Sequence, residues 1–228
     1  MSLTSEEMEK NKEEFMSLIE SLKDLRDEEW LNTSRFDLLK DFLDKSDFFS
    51  APASSKYHGS YEGGLCEHCL QVYHTLKELV RLKGLSIGED SIIICGLLHD
   101  FAKVNTYAKV AMNKKVYHDN GTRQDDLGKF DWTTTLGYKV DHDRKFVYGN
   151  HEETCEYMIR YFLPLKRDES VAILHHHGGM GFDSTKLNIT EVYNHYPLAC
   201  LLHSADLLCT FIDQGEGNAH TTDSSTAE

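Results

Sequence analysis

Ser91-Ile92-Ile93-Ile94-Cys95-Gly96-Leu97-Leu98-His99-Asp100-Phe101-Ala102-Lys103-Val104 is apolar on nearly every side until it meets a histidine and an aspartate in succession. A helix that is hydrophobic all round has no face to give to water, so it belongs at the centre of its domain. The run predicts a buried central helix over 91–104 and an all-α fold built around it. His99 shares a face with Ile92 and Cys95. Polar donors at the end of such a helix demand a partner. An unpaired buried charge costs several kcal/mol, against a whole-domain stability of about 5–15 kcal/mol.

Working outward, the segment 65–83 carries Leu65, Cys69, Val72, Leu76, Leu79 and Val80 at helical spacing, with Gly84 as a stop. Upstream, 4–23 reads as an amphipathic helix: Thr4 and Glu7 have capping-box spacing, and Phe15, Leu18, Ile19, Leu22 and Leu25 form its stripe. A second helix over 34–45 turns Phe36, Leu39, Phe42 and Leu43 inward, and Ser50 to Gly64 reads as a loop. Downstream, helices are expected over 152–162, 168–176 and 197–212, the last opened by Pro197. Between Thr106 and Tyr148 the helical period fails. Turn signals at Asp119-Asn120-Gly121 and Leu136-Gly137, with β-formers at 132–135 and 146–148, predict an insertion holding a small β-hairpin. The expected organisation is therefore N-terminal helices over 1–50 packing on the core, a main domain over 51–213 with an insertion at about 105–148, and a disordered tail over 214–228.

Charge is unevenly spread. The chain carries a net −14, which disfavours indiscriminate binding to duplex DNA. Between Phe101 and Asn150, however, nine Lys/Arg face six Asp/Glu, a net of +3, which leaves −17 for the rest. No run of 18 apolar residues is present, so no membrane helix is expected. The polar, acidic start Met1–Asn11 lacks the basic and apolar regions of an export signal. That predicts a cytoplasmic protein with six reduced cysteines.

The residues that carry chemistry lie where the apolar pattern is strongest. Asp206 follows Leu198 and Leu202 on one helical face, and His68 is in line with Leu65 and Val72. His176 ends the run Ala172-Ile173-Leu174-His175-His176-His177, and His151 opens a helix after Gly149-Asn150. Imidazoles and carboxylates converging from separate helices are the usual construction of a metal site in a bundle. Each has a plainer explanation, a hydrogen-bonded core histidine or an ion-paired acid; the repetition over five segments is what favours metal. Cys66-Glu67-His68-Cys69 has the CxxC spacing of a zinc site, but no second cysteine pair accompanies it.

His68, then Leu97-Leu98-His99-Asp100-Phe101-Ala102-Lys103, then Asp206 resembles the HD superfamily of metal-dependent phosphohydrolases, over roughly Ala51 to Ile212. Ser54-Ser55-Lys56-Tyr57-His58 leading to Gly63-Gly64-Leu65-Cys66-Glu67-His68 is similar to the HD domains of certain 3′-to-5′ exoribonucleases and of relaxase-associated proteins. Gly149-Asn150-His151-Glu152 and His176-His177-Gly178 look like the extra histidine positions of the two-metal subgroup. The chain has Phe101-Ala102 where the family often has Ile-Gly.

The resemblance implies an HD-domain helical bundle around one or two divalent transition ions (Mn, Fe, Co, Ni or Zn). One ion would be held by His68, His99, Asp100 and Asp206; the other would share Asp100 and add His151 and His176. It implies hydrolysis of a phosphoester in a nucleotide or nucleic acid, with attack by hydroxide from the metal centre. Asp100, Lys103 and His177 are the expected catalytic groups, and Lys56, His58 and Lys103 the expected substrate contacts. The expected partner is a phosphorylated small molecule or a single-stranded nucleic-acid end, with no membrane. Two alternatives stay open: a nucleotide phosphatase or triphosphohydrolase, and a non-catalytic nucleotide-sensing module.

Overall fold

Helix α4 (Glu89–Leu98) runs through the interior, and every residue from Asp90 to Leu98 is buried. In the computed structural model, which describes residues 2–27, 31–179 and 188–213, seven further α-helices and one three-stranded sheet surround it. Helix α3 (Gly64–Lys83) lies against α4 so closely at Gly96 that a Cβ there would meet the Tyr73 Cα at 2.6 Å. The missing side chain lets the two backbones touch. A second close approach occurs at Gly64, where a Cβ would lie 2.1 Å from the Gly59 carbonyl oxygen. That contact folds the 54–59 loop down over the start of α3.

Helix α1 (Ser5–Leu25) carries the capping box of Thr4 and Glu7 and buries Phe15, Ile19 and Leu22. Leu25, read as part of its stripe, is 44% exposed. Helix α2 (Thr33–Lys45) buries Phe36, Leu39 and Leu43, while Phe42 meets the rings of Phe101 and Phe162. At the end of α1, Arg26 is buried and pairs with Asp90, at 2.7 Å, and with Glu169. Lys166 joins the same Asp90 at 2.6 Å. These pairings satisfy two buried carboxylates that would otherwise carry the full penalty of burial.

The other helices are α5 (His151–Phe162), α6 (Arg167–Leu174), α7 (Ile189–His195) and α8 (Pro197–Leu208), the last widening into a π turn over Cys209–Asp213. Two expectations are corrected here. The run 91–104 is not one helix: α4 stops at Leu98, Asp100 takes φ −101° and ψ 19°, and a 3-10 turn covers Phe101–Lys103. The helix expected over 197–212 leaves α geometry after Leu208. Helix α7 was not anticipated; its short segment buries no residue and so shows no apolar period. The expected tail, 214–228, lies outside the described residues.

The insertion is an antiparallel ribbon. Strands β1 (Tyr107–Tyr117) and β3 (Gly128–Val140) pair over the whole of β1, from Tyr107 opposite Val140 to Tyr117 opposite Phe130. The short β2 (Arg123–Asp125) adds to the far side of β3, after the expected turn at 119–121. Leu136-Gly137 is not a turn but lies inside β3 opposite Val110 and Ala111. Phe146 to Tyr148 is not a strand. Its aromatic rings are used instead to pin the returning chain to α5: Tyr148 stacks on Tyr157 at 4.1 Å, and Phe146 at 6.0 Å. All six cysteines are free thiols. No described helix is long and apolar enough to cross a membrane.

Candidate metal centre

Five separate segments deliver their polar side chains to one buried spot. His68 projects from the second turn of α3. His99 and Asp100 follow the end of α4, where departure from helical geometry lets neighbouring side chains turn the same way. His151 is the first residue of α5, set by the Asn150 cap. His176 and His177 follow α6, and Asp206 rises from α8. His68, His99, Asp100, His176 and Asp206 are all buried.

Two groups form, each with donor atoms close enough together to hold an ion. One is His68, His99 and Asp206; the other is Asp100, His151, His176 and His177. Asp100 stands between them. Its Oδ2 lies 3.5 Å from Nε2 of both His68 and His99, and its Oδ1 lies 2.8 Å from His151 Nε2 and 3.9 Å from His176 Nε2. Asp206 Oδ1 is 3.1 Å from His68 Nε2 and 3.9 Å from His99 Nε2. Lys103 Nζ reaches Asp100 Oδ2 at 2.6 Å.

The hydrogen bonds on the outer side of the histidines fix which nitrogen faces inward. His99 Nδ1 donates to the Gly96 carbonyl at 2.9 Å, and His176 Nδ1 donates to the Ile173 carbonyl at 2.6 Å. Each ring then presents its Nε2 lone pair to the centre, as a metal-ligating imidazole does. His176 Nε2 is buried with no hydrogen-bond partner. Lone pairs turned towards carboxylate oxygens repel unless a cation lies between them. The donor set therefore fits a metal ion.

Electrostatics follow the same layout. Burial pushes the His99 imidazole down to about 4 and keeps it neutral; burial holds His176 well below its ordinary value as well. Burial works against the Asp100 carboxylate, but Lys103, His99 and His151 outweigh it and hold the group well below the usual range. Asp206 is likewise kept ionised against burial, chiefly by its hydrogen bond to His68.

One consequence is a pH dependence of folding in metal-free protein. His99 titrates near 6.5 when unfolded and near 4 when folded. Between those values the unfolded chain binds the extra proton, so stability falls as pH falls from 6.5 to 4. His99 alone contributes a slope of about 1.4 kcal/mol per pH unit in that window. Chemical denaturation in chelator at several pH values checks it; a midpoint that stays constant from pH 6.5 to 4.5 contradicts the neutral buried histidine.

All six expected metal ligands are brought together. His177 joins the second group and is also fixed by a residue the sequence did not single out: its Nδ1 is 2.7 Å from Oε1 of buried Glu152, which leaves Nε2 3.6 Å from Asp206 Oδ2. Glu152 sits in the first turn of α5, where acids are common for helix-dipole reasons, so its position alone carried no signal. His58 closes one side of the centre, its ring 5.1 Å from that of His68. Neither of its ring nitrogens has a hydrogen-bond partner, and burial pushes it down to about 4. Lys56 is not brought against the ligands; it is exposed, with its ammonium over the Tyr57 ring. Cys66 and Cys69 are buried beside the site but belong to neither donor group, and burial raises both thiols. Comparison of the chain with family models, curated proteins and solved structures found no match.

Proposed function

We propose that this protein is a metal-dependent phosphohydrolase of the HD type, acting on a phosphoester of a nucleotide or nucleic acid. The observation that carries the reading is Asp100, whose two oxygens address two different sets of histidines. A carboxylate so placed suits two adjacent ions, with His68, His99 and Asp206 on one side and His151, His176 and His177 on the other. Mixed imidazole and carboxylate donors select Mn, Fe, Co, Ni or Zn over calcium. Bound there, such ions would supply Lewis acidity towards a phosphoryl oxygen and a water nucleophile.

The chain's own groups do the rest. Lys103 is half-buried next to Asp100 and held in its charged form by it, so it offers a fixed positive charge to an incoming phosphate. Neutral His58 brings unengaged ring nitrogens to the edge of the centre, where one can donate to a phosphate or leaving-group oxygen. Glu152 fixes the ring of His177. Burial of the ligands keeps bulk water out, which strengthens each of these interactions.

The test is turnover with each of the five ions, and with chelator, on a phosphomonoester, a phosphodiester and a nucleoside triphosphate. Hydrolysis of at least one class, dependent on the ion and abolished by chelator, is expected. Protein that binds an ion yet turns over none of the three would be a sensor rather than an enzyme.

A further inference from the structure

The ribbon formed by β1 and β3 is a stiff lever held at one end. Its 11 paired positions span about 36 Å, at roughly 3.3 Å per residue. The outer half carries a small core of its own. Phe130 is covered there by Tyr117, Trp132 and the Lys115 ammonium. Asp125 and Asp131 draw Lys115, Tyr117, His118 and Thr122 together around it. None of residues 107–140 belongs to the hydrophobic core of the helices.

The ties to the body gather where the ribbon begins and ends. Asp47, just past α2, accepts from the Asn105 amide at 2.6 Å and from the Arg144 guanidinium at 3.4 Å. Arg144 also donates to the Asn105 carboxamide oxygen at 2.7 Å. One carboxylate of the body thus grips both legs of the ribbon. Asn105 takes φ 54°, the one left-handed non-glycine among the described residues. It marks a sharp change of direction between the 3-10 turn and β1. Bonds gathered at one point hold a lever in place but resist its rotation weakly. Beyond that point, among the described residues, one hydrogen-bonded or ionic link joins ribbon to body: Lys109 to Glu62 at 3.3 Å, both exposed.

What the lever faces gives its rotation a consequence. An open cleft of about 1510 Å³ separates the ribbon from the 55–60 loop and from the π turn after α8. His58 lines this cleft, and its ring lies 5.1 Å from that of His68, so the cleft leads to the metal centre. Met112 and Val140 on the ribbon wall, and Tyr57, Phe211 and Ile212 on the facing walls, are all exposed. Narrowing the gap buries apolar surface on both sides.

We propose that the ribbon is a flap hinged at Asn105 and Arg144, which swings to widen or close the cleft over the metal centre, with the Lys109–Glu62 ion pair as its catch. As a gate to a reaction the flap rests on the phosphohydrolase reading; as a motion it does not. Glu62 follows directly on the loop that walls the cleft, so the pair draws the ribbon towards that wall. The catch is weak by construction, since an exposed ion pair favours the paired state by about fivefold at most. A segment with so few buried apolar contacts to its host lies at the low-stability end of a fold. Both positions are therefore populated. The closed one shuts water out of the centre, and the open one admits substrate and releases product.

The experiment measures distance on the full chain and needs no substrate. Spin labels are placed at Leu127→Cys, on the outer end of the ribbon, and at Tyr57→Cys, on the loop wall, both strongly exposed. The background is Cys200→Ser, because the other five cysteines are buried. A control pair at Leu38→Cys and Leu82→Cys joins two helices of the body. The control is expected to give one narrow distance and the flap pair two populations. Lys109→Glu should raise the share of the longer distance by about two- to fivefold, and the swap Lys109→Glu/Glu62→Lys should restore the original distribution. Salt at about 1 M, where the screening length is roughly 3 Å, should lengthen the distance in the original chain and shorten it in Lys109→Glu. Melting temperature serves as the folding control, because both paired positions are exposed. A flap pair as narrow as the control, a distribution indifferent to Lys109→Glu, or a swap that restores nothing overturns the proposal. A chain whose flap moves but which hydrolyses none of the three phosphate classes keeps the flap and loses the enzymatic reading; hydrolysis with an immobile ribbon does the opposite.

Discussion

Protein carrying Asp100→Ala is expected to come through purification with at least about 100-fold weaker metal affinity, and to lose about 10³-fold or more in hydrolysis. Losing even an outer partner of a metal ligand costs about 10–100-fold in affinity, and Asp100 is placed to contribute an oxygen to both groups of histidines. The alanine also leaves the half-buried Lys103 without its counter-charge. Asp100→Asn keeps the shape and removes only the charge, so it isolates the electrostatic part of both effects. Elemental analysis and metal titration are the readouts. An alanine variant with wild-type metal occupancy would leave the two histidine groups unconnected and remove the basis for a shared centre.

Lys103→Ala is expected to do the reverse: keep its metal and lose about 10²-fold in kcat/KM, the usual cost of deleting one electrostatic stabiliser of a transition state. The contact between Lys103 and Asp100 adds a second readout. Without metal, the lysine is the nearest charge balancing Asp100, so the alanine variant should melt well below wild type in chelator. With metal bound, the ion takes over that balance, and the gap should narrow. A variant with normal turnover and a lowered melting temperature in both conditions would assign Lys103 to folding alone.

The centre was legible because its ligands break an otherwise apolar pattern. His68, His99 and Asp206 each occupy a position where the helical period asks for a leucine, and each proves to be buried at one spot. Helices α1 to α3 were legible because their buried faces repeat at 3.6 residues, and α4 because it is apolar all round. Elements that bury little were not. The ribbon is exposed on most of both faces, so neither the true extent of β3 nor its glycine at 137 could be separated from turn chemistry. Glu152 escaped for another reason. Its meaning lies in the distant residue it meets, His177, and no local spacing encodes that.

The ribbon leaves the helical body just after Lys103 and comes back just before His151, so the residues flanking it serve the centre on both sides. Its two ends are nevertheless tied to each other, the Asp141 amide donating to the Thr106 carbonyl at 2.8 Å. A segment that enters and exits at one point adds little closure entropy to its host, whatever its length. It pairs locally, and its longest partnership is internal. In terms of construction the two are separable parts: the ligands of the centre belong to the helical body, and the ribbon hangs from that body on a single stem.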